Sequence, residues 1–201
     1  MADSNITKQA LAEALKSLMA QQPFDKINVG QICEKCNMNR KSFYYHFKDK
    51  YDLVNWIFDV EFIALLQKVE QQNDELQNHW DLFEEFCADF YRDRIFYRAA
   101  LQIKGQNSFS DHFREVLRPL LRTRLYTLIG QHVVGEMQEQ YLDFCVDTFT
   151  DAFLCGMERW IGEKDCMPPD KFVTMLRAII SGTAMTLVQE LQNEENNTFC
   201  T

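Results

Sequence analysis

Glycine and proline are scarce: the 201 residues hold seven Gly and four Pro. So little punctuation argues against an all-β fold, which needs many turns, and the 46% hydrophobic content argues against a disordered chain. No apolar run reaches membrane length; the uncharged stretch Ala178 to Val188 falls short of the roughly 20 residues a spanning helix needs. The first residues, Met-Ala-Asp-Ser-Asn-Ile-Thr-Lys, lack the basic-then-apolar pattern of a leader, so a cytoplasmic protein is expected. Glycine-rich phosphate loops, Ser/His/Asp arrangements with local context and paired-carboxylate motifs are also missing. An enzyme is therefore not expected, nor a cofactor. Seven Cys at irregular spacing fit reduced thiols better than a disulfide framework. Cys33-x-x-Cys36 has the spacing of half a zinc site, but no second pair of ligands stands nearby. Two small buried side chains are the expectation there, and no metal.

The net charge of −9 argues against a partner that is itself an anion, yet the charge is unevenly spread. Residues 1–50 hold eight basic and five acidic side chains; the remaining 151 hold 13 and 25. A basic head on an acidic body points to a polyanion bound at one end.

Helical periodicity runs throughout, and no strand pattern is found. Leu11, Ala14, Leu15, Leu18 and Met19 mark one face of a first helix. Asn28-Val29-Gly30-Gln31 has the form of a capping box opening a short helix to about Lys35. Asn37 suits a tight turn that needs positive φ, and Asn39 can cap the next helix. That helix, from Arg40 to about Phe47, sorts by angle at about 100° per residue. Phe43 and Phe47 share one face. Lys41 and Tyr45 fall opposite, flanked by Ser42, Tyr44 and His46. Two short helices joined by a tight turn, the second polar and basic outside, describe a helix-turn-helix whose second helix enters a major groove. Asp49 caps a further helix at Lys50, a cation where the helix dipole disfavours one unless an anion such as a phosphate is expected there.

The segment from Asn28 to Leu53, and above all Ser42-Phe43-Tyr44-Tyr45-His46-Phe47-Lys48-Asp49-Lys50, resembles the DNA-binding domain of the TetR family of bacterial transcriptional regulators. The stretch Phe153 to Ile161 is similar to a TetR subgroup that includes regulators of dihydroxyacetone kinase genes. The resemblance implies that Tyr44, His46 and Lys50 clamp phosphates, that Arg40, Lys41 and Tyr45 face base edges, and that Phe43 and Phe47 are core. Asn28, Asn39, Ser42 and Lys48 complete the expected DNA-binding set. Cys36-Asn37 departs from the family's usual Ala-Gly, and Tyr45 is bulky for a base-facing position.

The expected architecture is all-α, with about nine helices. Residues 1–50 form the helix-turn-helix domain, and 51–201 form a helical domain for effector binding and dimerisation. Helices are expected over 50–72, 80–92, 93–103, 109–129, 138–161 and 170–191, with a kink or restart at Pro119. Aromatics are dense in this body. They line a pocket for an effector or fill a helical core, and the core is the simpler reading. The 170–189 segment is apolar on more than one face and needs cover on more than one side. A homodimer supplies it through Phe149, Phe153, Gly156 and Trp160 on one helix and Ile180, Ala184, Met185 and Leu187 on the other. The partners expected are double-stranded DNA, a second copy and a small-molecule effector, with no membrane. The alternative is an activator or co-regulator whose C-terminal domain docks a partner protein instead of a small ligand.

Overall fold

The computed structural model describes the backbone of residues 2–71, 78–105, 108–129 and 136–198. Among these residues the structure is helical and without strands. The helices are α1 (Ala2–Met19), α2 (Val29–Lys35), α3 (Arg40–His46), α4 (Lys50–Gln71), α5 (Asn78–Arg92), α6 (Arg94–Leu101), α7 (Phe109–Ile129), α8 (Glu136–Gly162) and α9 (Pro169–Thr198). The break expected between Gly130 and Gly135 lies outside the described residues.

The helix ends follow from local chemistry. At α2 the capping box is complete: Gln31 N–H donates to Asn28 Oδ1 at 3.1 Å, and Asn28 N–H donates to Gln31 Oε1 at 2.9 Å. Asn37 stands at φ 55°, the left-handed region that asparagine tolerates best after glycine. There Met38 N–H reaches Cys33 O at 2.8 Å and Asn37 N–H reaches Glu34 O at 3.2 Å, which is the paired closure of a Schellman motif. Asn39 Oδ1 accepts from Ser42 N–H at 2.8 Å and opens α3. Asp49 Oδ1 accepts from the amides of Tyr51 and Asp52, each at 2.9 Å, and Asp52 accepts from Lys48 N–H.

Pro119 does not break its helix: α7 runs through it. Proline deprives the carbonyl of Glu115, four residues earlier, of its helical donor. Glu115 and Pro119 are both exposed, so water can satisfy that carbonyl.

The chain forms two compact units, residues 1–112 and 113–201. In the first, Leu11 and Leu15 of α1, Ile32 of α2, Phe43 and Phe47 of α3, and Leu53, Val54 and Phe58 of α4 are buried together with Ile27. An aromatic series continues this core. Phe58 meets Phe62, Phe86, Phe90 and Phe109 ring to ring, and Phe90 stacks on Tyr97 at 3.7 Å between centroids. These aromatics fill the core, as the simpler reading has it. One polar cluster ties the unit together. Lys16 Nζ of α1 lies 3.0 Å from Glu61 of α4 and 2.5 Å from Asp93, while Tyr97 of α6 donates its hydroxyl to the same Glu61. Burial pulls the Lys16 ammonium down, but its two carboxylate partners outweigh it and hold the group above the ordinary lysine range. Burial, reinforced by Glu61, pushes the Tyr97 hydroxyl well above the usual tyrosine range.

In the second unit, Leu125, Leu142, Cys145 and Val146 form a core between α7 and α8. Beside it runs an ion-pair ladder of four-residue pitch. Arg114 meets Asp151, Arg118 meets Asp147 and Asp143, and Arg122 meets Asp143 and Glu139. Two of the expected interface residues are interior here. Phe153 packs on Phe113, and Trp160 stacks on Phe172 at 4.2 Å while donating its indole N–H to Met167 O at 2.8 Å. Phe149 is partly buried against the Leu125 cluster, and Gly156 and Ile180 are half-buried. The side chains of Ala184, Met185 and Leu187 lie outside the described residues. The exposed apolar side chains of this unit include Phe144, Met175 and Ile179, the last two one turn apart on α9.

Candidate nucleic-acid interface

Helix α3 is two turns long and is held from beneath. Phe43 is fully buried and Phe47 nearly so, and their rings stand 5.8 Å apart. Phe47 is edged by Trp56 at 5.5 Å, and Lys8 Nζ of α1 lies over both rings. Because the two phenylalanines are four residues apart, they fix the rotation of α3 about its axis. The opposite face must then point outward. Tyr45 is 82% exposed and Tyr44 59%, large values for aromatic rings in an ordered helix. Arg40 and Lys41 are exposed, with no ion pair among the described residues. His46 is half-buried with its ring edge-on to Tyr45 at 4.8 Å, and Ser42 is half-buried on the flank.

The polar residues at the helix ends have a dual character. Asn28 and Asn39 are exposed, but each commits its side-chain oxygen to a cap. Lys48 is exposed, with its backbone N–H bound by Asp52.

Lys50 is where the structure adds most to the sequence reading. Its ammonium donates to Phe24 O and Ile27 O, both at 2.8 Å, and sits 4.3 Å from the centre of the Phe24 ring. It therefore straps the turn after α1 to the start of α4. Burial lowers this lysine below its ordinary range, and the charge of Asp25 opposes the shift. Two of its three N–H groups are committed, so one is left uncommitted. Neither this strap nor the Lys16 cluster has a local sequence signal. Their partners lie 23 to 77 residues away, and helical periodicity cannot pair them.

Cys33 lies in α2 and Cys36 caps its C-terminal end. Cys36 Sγ donates to Ile32 O at 3.3 Å, and burial raises both thiols above the ordinary cysteine range. Cys33 is buried and Cys36 half-buried, the latter less deeply placed than its spacing implied.

Together these features make a helix pair whose second member shows aromatic, basic and hydrogen-bonding groups on one outer face. Two family descriptions match the chain. Residues 8–57 match the bacterial regulatory proteins of the tetR family, and residues 77–182 match a transcriptional regulator C-terminal region. The chain belongs to the TetR family of bacterial transcriptional regulators. It is a transcription regulator and not an enzyme.

Known TetR-family proteins resemble it in sequence and in fold. The transcriptional activator DhaS of the dhaKLM operon, from Lactococcus lactis, is 33% identical over 66 residues, a third of this chain. That match spans 35% of the length of DhaS. A solved structure described as the dihydroxyacetone kinase operon activator DhaS superposes with a TM-score of 0.59. It covers 92% of this chain and 97% of its own at 18% identity, a likeness of fold. The FadR repressor of Thermus thermophilus, solved with lauroyl-CoA, superposes with a TM-score of 0.60 at 14% identity, covering 91% and 93%. Among the described residues no helix is long and apolar enough to cross a membrane.

Proposed function

We propose that this TetR-family chain is a homodimer that binds a palindromic DNA operator through α3 and is controlled by a small molecule held in its C-terminal domain. The observation that carries the DNA reading is the fixed rotation of α3. Phe43 and Phe47 are locked inside, so Lys41 and Tyr45 face outward together, and Arg40 is exposed at the first residue of the helix. In this reading Arg40, Lys41 and Tyr45 meet base edges. Tyr44, His46 and the remaining N–H of Lys50 meet phosphates, with Ser42, Lys48 and the free amides of Asn28 and Asn39 at the rim. The phosphate contacts set register and affinity, and the base contacts set sequence.

The dimer is supported by the apolar side chains left outside on α8 and α9, Phe144, Met175 and Ile179. Among the described residues nothing lies within 4 Å of the positions where Gly156 and Gly182 would carry a Cβ, which leaves room for a second helix. Two α3 helices related by a two-fold axis would read half-sites about 34–36 Å apart. Control by a small molecule is supported by the FadR structure, whose description includes bound lauroyl-CoA. A second reading is favoured by DhaS being described as an operon activator: the C-terminal domain docks a protein partner and the chain activates transcription.

The test is binding of the full chain to duplex fragments from beside its own gene, followed by a metabolite screen read as thermal stabilisation. A protected site with two-fold symmetric sequence is the expected result. A ligand at 100 times its Kd should add about 2.7 kcal/mol of stability. A chain that protects no fragment would contradict the operator. A protein partner captured with no stabilising metabolite would favour the second reading.

A further inference from the structure

Gly30 sits in the first turn of α2, where helix propensity favours almost any other residue. The structure shows what its missing side chain makes room for. A Cβ at position 30 would stand 2.6 Å from Arg40 Nη2 and 3.2 Å from Arg40 Nε. The Arg40 guanidinium therefore lies across the start of α2, in the space a side chain at 30 would take. Its charge is also felt at Cys33, one turn further along α2. An open depression of about 390 Å³ lies here between α2 and α3, lined by Gly30, Gln31, Glu34, Met38, Asn39 and Arg40.

We infer that Gly30 is a specificity-determining position that acts through Arg40. With no side chain at 30, the guanidinium rests over α2 at the leading end of α3, the end from which recognition helices touch base edges. A planar fork held there suits bidentate recognition of guanine O6 and N7. A side chain at 30 displaces the fork, because the nearest obstructing atom is the free end of the arginine and not backbone. The fold then survives while the base preference moves. This inference rests on the DNA reading above and adds to it a positioning residue that touches no base itself.

The experiment is selection from a pool of random duplexes by the full chain in four forms: unaltered, Gly30→Ala, Arg40→Ala and the double variant. The unaltered chain should enrich a guanine at one position of the selected site. Gly30→Ala and Arg40→Ala should each weaken that preference about fivefold or more at the same position. In the Arg40→Ala background, Gly30→Ala should change nothing further, as expected for two residues acting as a unit. The melting temperature of Gly30→Ala should match or exceed that of the unaltered chain, since alanine is the better helix former.

The inference is overturned if Gly30→Ala keeps a guanine preference that Arg40→Ala loses. It is equally overturned if Gly30→Ala weakens binding alike in both backgrounds, because the fault would then lie in the Asn28 cap, whose Oδ1 also stands 3.0 Å from that Cβ. Failure of the DNA reading itself looks different: the unaltered chain would enrich no duplex at all.

Discussion

Replacing Lys50 with methionine tests whether the base of the helix-turn-helix is strapped by a single ammonium. Methionine keeps an unbranched apolar stem against Phe24 and Tyr51 and removes only the charged donor. The consequence at each carbonyl differs. Phe24 O also accepts Ile27 N–H at 3.0 Å, so it keeps a partner. Ile27 O has no other partner among the described residues, and Ile27 is 2% exposed. A buried carbonyl left unpaired costs about 1–3 kcal/mol. Loss of the ammonium from above the Phe24 ring adds about 0.5–1 kcal/mol. Relief of the lysine's own desolvation offsets part of this, which leaves a net loss of about 2 kcal/mol. At about 2–4 °C per kcal/mol for a chain of this size, the midpoint should fall by about 4–8 °C. Urea unfolding of both proteins at neutral pH measures it directly. Lys50→Met within about 0.5 kcal/mol of the unaltered chain, the scatter of ordinary surface substitutions, would refute the strap.

Three other outcomes follow from the structure. The Lys16 and Tyr97 groups both bind their protons more tightly when folded, so their contribution is complete below the unfolded pKa values, near 10–10.5, and is lost as pH rises through the raised folded values. Thermal melts should therefore drop steeply above about pH 10, and Tyr97→Phe should drop less; equal slopes would contradict the coupling. In sedimentation, the chain should run at twice its 23.8 kDa and Ile179→Glu should run as a monomer; an unaltered chain that is already monomeric would end the dimer proposal. In a thiol-reagent time course on the native protein, exposed Cys155 should react well before buried Cys33 and Cys87; rapid modification of Cys33 would show that α2 opens.

Much of this fold is local and was therefore readable. Capping at Asn28, Asn39 and Asp49 and the turn at Asn37 are set by residues within five positions of one another, so the bounds of α2 and α3 follow from sequence. The outer face of α3 was legible because two buried phenylalanines four apart fix a short helix without further information. Contacts that cross between helices were not legible. The Lys50 strap, the Lys16–Glu61–Tyr97 cluster and the Arg118–Asp147 ladder pair residues far apart in the chain. For the same reason Phe153 and Trp160, apolar on a helix expected at an interface, could not be told from interior residues until Phe113 and Phe172 were seen against them. At Pro119 the helix does not restart, and the freed carbonyl belongs to an exposed residue, Glu115.

We propose that the outer face of α3 holds duplex DNA. It is tested most directly by fluorescence anisotropy of a selected duplex, titrated between about 50 and 200 mM salt with the unaltered chain, Lys41→Ala and Tyr45→Ala. Log K should fall linearly with log salt, with a slope of about −0.9 for each phosphate neutralised. Both variants should weaken binding to the selected duplex while their melting temperatures stay unchanged, because neither side chain is buried. Salt-independent binding, or full affinity in both variants, would contradict it.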